Sequence, residues 1–89
     1  MITALIRYEQ STSVEEQALV DTAVRLLGAT RQPVRGVWVL DTAFTVEQVS
    51  GYLVEQVASP DDLLVVEMNA QWASWLLDRA AEVWTRKSA

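Results

Sequence analysis

The chain has 89 residues, of which 51% are hydrophobic, with no cysteine and no histidine, and its 12 acidic against 7 basic side chains leave a net charge of −5. A chain of this length makes one domain with one core and no disulfide to brace it. The missing cysteine and histidine remove thiolate nucleophiles, imidazole bases and most zinc chemistry, and the negative charge works against binding a phosphate backbone.

The cations (Arg7, Arg25, Arg31, Arg35, Arg79, Arg86 and Lys87) are scattered, with only a weak group at Arg31 and Arg35. No apolar run approaches the ~20 residues of a membrane span. The opening Met1–Arg7 segment is too short for a secretory signal. A cytoplasmic protein is the expectation.

Residues 2–9 alternate as a strand, with Ile2, Ala4, Ile6 and Tyr8 on one side and Thr3, Leu5, Arg7 and Glu9 on the other. A polar break follows. Ser13 and Glu16 have the spacing of a capping box, and Leu19, Val20, Ala23, Val24, Leu26 and Leu27 give the helix behind it a broad apolar face that Gly28 stops. Gly36–Asp41 is apolar on both faces and reads as a central strand. Pro33 demotes the piece before it to a short edge strand, paired as a hairpin turning near Pro33–Arg35. Thr45 and Gln48 cap a second helix with Val46, Val49, Leu53 and Val57 inward. Ser59–Asp62 is a turn, Leu63–Met68 a strand, and residues 70–87 a long last helix.

The order β-α-β-β-α-β-α predicts an α+β fold: a single domain over residues 1–89. Its form is a ferredoxin-like βαββαβ sandwich with a four-stranded antiparallel sheet, plus an additional C-terminal helix. Both inner helices then share one sheet face, and the last helix covers the other. The expectation for the two central strands, the first and third, is that they run parallel. At 100° steps the last helix carries Trp72, Ala73, Leu76, Leu77, Ala80, Ala81, Val83 and Trp84 over half its circumference or more. That stripe is wider than one sheet face needs. Trp75 falls outside it, beside Arg79 and Glu82, where an exposed tryptophan commonly anchors an interface. Trp72, Trp75, Leu76 and Trp84 are therefore the candidate interface residues of a homodimer.

Three segments together carry a family likeness: Arg7-Tyr8-Glu9 ending the first strand, Gly36–Thr42 before a capped helix, and Asp61–Asn69 leading to Trp72. The chain resembles the small SinR-like proteins, which are grouped with the smaller, dimeric CRISPR-associated adaptation proteins and the virulence-associated D proteins. The resemblance implies a ferredoxin-like fold and homodimers. It also implies that some relatives are metal-dependent nucleases or nucleic-acid-binding scaffolds. In that superfamily an aspartate just after an aromatic residue ends the first strand and binds the divalent metal; the matching position here is Glu9, after Tyr8.

Parallel first and third strands would bring Glu9 and Asp41 to one edge, with Asp61 and Asp62 nearby. Such a carboxylate pair suits magnesium, which keeps several waters and activates one of them for phosphodiester attack. The plainer account of Asp41, Asp61 and Asp62 is hydrogen bonding to local backbone at strand ends. Trp38 is expected in the core, and Tyr8 and Tyr52 half-buried with hydroxyls in water. The reading is a non-catalytic homodimeric structural or interaction protein, with no catalytic residue, no resident cofactor and no nucleic acid, and an unidentified protein as a further partner. The alternative is a magnesium-dependent nuclease or nucleic-acid-binding protein centred on Glu9.

Overall fold

The computed structural model describes residues 1–8, 13–69, 71 and 78. Among these residues, four strands and two helices follow one another as β1 (Ile2–Tyr8), α1 (Val14–Arg25), β2 (Ala29–Val34), β3 (Val37–Thr42), α2 (Val46–Gln56) and β4 (Leu63–Met68), with a 3-10 turn at Pro60–Asp62 before β4. The strands form one sheet in the order β2-β3-β1-β4, and every neighbouring pair is antiparallel. The fold is α+β, and the described residues form a four-stranded antiparallel sheet with two helices.

Helix starts follow the local chemistry. Thr45 Oγ1 accepts from the Gln48 amide, and the Gln48 side chain accepts from the Thr45 amide, closing a full capping box. At α1 the Ser13 hydroxyl accepts from the Glu16 amide at 3.2 Å. The Glu16 carboxylate does not turn back to close the box; it is used elsewhere, as described below.

Pro33 sits within β2, which runs longer than its sequence suggests and takes the outer edge, where a missing N–H costs no ladder bond. The hairpin turns at Arg35-Gly36, one residue later than expected, because Gly36 supplies the positive φ of 82° that a side chain would disfavour. Gly28 is required for a different reason: a Cβ there would overlap the Asp41 carbonyl oxygen.

One face of the sheet meets both helices. Ala4, Ile6 and Tyr8 of β1 and Trp38 and Leu40 of β3 pack with Val20, Ala23 and Val24 of α1 and Val49, Leu53 and Val57 at α2, and Leu63 and Val65 of β4 lie against this cluster. Each fully buried Val, Leu or Ile side chain among these contributes about 1.5–3 kcal/mol. The breadth expected for α1 is corrected: Leu19 and Leu26 are exposed, while Val20, Ala23 and Val24 are buried and Leu27 packs partly buried against the core.

The expectation of parallel central strands is also corrected. β1 and β3 run antiparallel, with Thr3 opposite Asp41 and Arg7 opposite Val37. The reason is chain reversal: α1 returns the chain so that β2 runs with β1, and the hairpin then reverses β3. The predicted C-terminal helix over 70–87 lies, but for Gln71 and Asp78, outside the described residues.

Candidate interaction surface

Strand direction places Asp41 relative to the two ends of β1. Asp41 stands opposite Thr3 near the start of β1. Tyr8, at the end of β1, stands opposite Leu63 of β4. At about 3.4 Å per residue, Thr3 and Tyr8 are ~17 Å apart along the strand. Glu9 itself lies outside the described residues, but Asp41 is at the far end of β1 from Tyr8. Asp61 and Asp62, immediately before Leu63, belong to the Tyr8 end instead.

Asp41 has local partners. Its Oδ1 accepts from the Thr3 hydroxyl at 2.7 Å, and its Oδ2 pairs with Arg31 at 3.3 Å. These contacts tie β1, β2 and β3 across the sheet. Among the described residues no group of three or more Asp, Glu, His or Cys side chains is placed to hold a metal ion.

Two polar knots close the helix-covered face. Trp38 is fully buried, and its indole N–H donates to Asp21 Oδ1 at 3.0 Å. Asp21 Oδ2 also pairs with Arg25 at 3.0 Å. Burial pushes the Asp21 carboxyl up, but Arg25 and the indole N–H together hold it below its ordinary value of 3.8. The second knot centres on Tyr8, which the sequence places with its hydroxyl in water. The structure buries it: the hydroxyl donates to Glu16 Oε2 at 2.9 Å and accepts from the Ser59 amide at 3.2 Å. The same Glu16 oxygen accepts from the Ala58 amide at 3.4 Å. Burial and the neighbouring carboxylate push the Tyr8 hydroxyl above its ordinary 10.0, and the Ser59 amide offsets part of this. Glu16 thus gives up the reciprocal half of its capping box to join β1, α1 and the end of α2. The Ser13–Glu16 spacing is visible in the sequence; the diversion is not, because it depends on where Ala58 and Ser59 arrive in space.

The opposite face of the sheet carries Leu5, Val37, Val39, Leu64 and Val66, the residues alternating with those of the core. Val39 is fully buried, Leu5 and Val37 are half-buried, and Leu64 and Val66 are 48% and 37% exposed. Neither α1 nor α2 reaches this face, since their buried side chains belong to the other one. The sequence-predicted interface residues Trp72, Trp75, Leu76 and Trp84 lie outside the described residues. A cleft of about 280 Å³ at the β2–β3 turn, lined by Gln32, Pro33, Val34 and Arg35, is wide open and gathers no reactive side chains.

No family model, no curated protein and no solved structure matches this chain. Among the described residues, no helix is long and apolar enough to cross a membrane.

Proposed function

We propose that the chain is a non-catalytic, homodimeric structural or interaction protein of SinR-like type, built as a ferredoxin-like sandwich and working in the cytoplasm. The observation that carries the reading is the second sheet face: the strands that bury Trp38 and Ile6 under the helices present Leu64 and Val66 partly to solvent on their other side. A small domain that leaves such surface over gains stability by covering it with another chain.

The ferredoxin-like assignment is supported by the βαββαβ order and by a strand sequence that, taken from the other edge, runs β4-β1-β3-β2. The SinR-like assignment rests on the Arg7-Tyr8-Glu9, Gly36–Thr42 and Asp61–Asn69 segments. Residues 70–87, with Trp72, Trp75, Leu76 and Trp84, supply in this reading a helix over part of the second face and a share of the contact between copies. The absence of cysteine fits a reducing compartment. Against the magnesium-dependent alternative weighs the position of Asp41, which stands opposite Thr3 while Tyr8, the residue before Glu9, is at the other end of β1. The net charge of −5 also opposes a phosphate backbone.

Sedimentation velocity at tens of micromolar tests the reading. Twice the 10.0 kDa chain mass is expected, and a species of the single-chain mass at that concentration overturns it.

A further inference from the structure

The two edges of the sheet are built differently. β2 carries Pro33, which offers no N–H, and its ladder with β3 is interrupted by a register shift between Arg31 and Val34. Arg31 and Gln32 are exposed beside that shift. Proline, bulge and surface cation are each devices that discourage a further strand from pairing. β4 forms the other edge and has none of them. Its six residues, Leu-Leu-Val-Val-Glu-Met, stay in unbroken register with β1 from Leu63 to Met68, and its one charge is Glu67. Within the described sheet nothing pairs with its outer side.

From this contrast we infer that β4 is the seam between two copies of the chain, pairing antiparallel with β4 of the second copy across a two-fold axis to join two four-stranded sheets into one of eight. The inference rests on the homodimer reading and adds to it the surface and the register. An antiparallel strand pair related by a two-fold has its axis normal to the sheet, and residues directly opposite share a face. Opposed residue numbers must therefore add to an even sum. Centring the pair on Val65 sets Leu64 opposite Val66 of the second copy, twice over, so that the most exposed apolar side chains of the strand cover one another. It sets Glu67 opposite Leu63 of the second copy, leaving no carboxylate directly facing another. A pair centred on Glu67 would oppose two carboxylates, which is destabilising. A six-residue seam is small beside the ~1,200–2,000 Å² of a standard stable interface, so a dissociation constant of about micromolar order is expected from the seam itself.

The absence of cysteine makes the register directly testable. Leu64→Cys and Val66→Cys change two exposed side chains and leave the helix-covered core intact. In the proposed register these two positions are directly opposite between copies, with Cβ atoms about 5 Å apart, whereas each is diagonal to its own counterpart at roughly 7–8 Å. A disulfide tolerates about 3.5–4.5 Å, so the direct pair needs the smaller adjustment. Mixing the two variants under mild oxidation should give the mixed disulfide several-fold faster than either variant cross-links with itself. Gln32→Cys, on the protected β2 edge, should cross-link slowest of all. Equal rates for all three variants, or a preference for Gln32→Cys, overturn the seam. Sedimentation of the unmodified chain separates the two levels of failure. A dimer without the mixed disulfide removes the β4 seam and leaves the homodimer; a monomer without it removes both.

Discussion

The two faces of one sheet behave differently although the same strands build them. On the helix side, Ala4, Ile6, Tyr8, Trp38 and Leu40 are fully buried, and the polar atoms that come with them are tied off by Asp21, Glu16 and the Ser59 amide. On the other side, Leu5, Val37, Val39, Leu64 and Val66 are equally apolar, yet burial falls from complete at Val39 to partial at the β4 edge. A face closed within the chain needs its polar groups satisfied in place. A face closed by another chain is stabilised only as far as that chain is present, so its contribution depends on concentration.

Substitutions on the helix side should therefore be costly at every protein concentration. Trp38→Ala removes the largest fully buried side chain among the described residues and leaves Asp21 without its indole donor. A loss of about 3–5 kcal/mol is expected, measured by urea unfolding, and a loss below about 1 kcal/mol would show that this face is not the main core. Tyr8→Phe keeps the ring and deletes one hydroxyl, stranding the bonds to Glu16 and Ser59; about 1–2 kcal/mol is expected.

The titration of the two knots sharpens the contrast. With its pKa raised in the folded chain, Tyr8 contributes stability that is fully present below pH 10.0 and is lost as pH rises through the folded value. Stability of the parent should fall more steeply on the alkaline side than that of Tyr8→Phe. Asp21 works with the opposite sign: its pKa is lowered, so its contribution is present above 3.8 and is lost as pH falls through the folded value. Asp21→Asn should flatten the acid limb of the stability profile, and an unchanged limb would remove the Trp38–Asp21–Arg25 knot from the account.

The smallest effect is expected on the outer face. Val66→Ser should change unfolding free energy by no more than about 0.5 kcal/mol at sub-micromolar protein and weaken association at tens of micromolar. A large loss at both concentrations would mean that the outer face is closed within the chain.

Much of this arrangement was legible in the residues. β4 begins and ends where the apolar run Leu63–Met68 does, and Thr45–Gln48 caps α2 by the box its spacing announces. Trp38 is in the core as its central strand demands. What could not be read locally is what depends on direction and distance. The proposed proximity of Glu9 and Asp41 required parallel central strands, and the hairpin at Arg35-Gly36 makes them antiparallel. The Tyr8 hydroxyl looked free because its partners, Glu16 and Ser59, are 8 and 51 residues away in the chain. Leu19 and Leu26 matched a helical period without facing the sheet, since periodicity marks apolar positions and not the width of the surface they meet.

The most direct test of the claim that a second copy closes the open edge is amide hydrogen exchange of the intact chain at one and one hundred micromolar. Amides of Leu63–Met68 should become slower to exchange at the higher concentration while those of Ala29–Val34 do not change. Identical exchange of the β4 amides at both concentrations, in protein that sediments as a monomer, would contradict it.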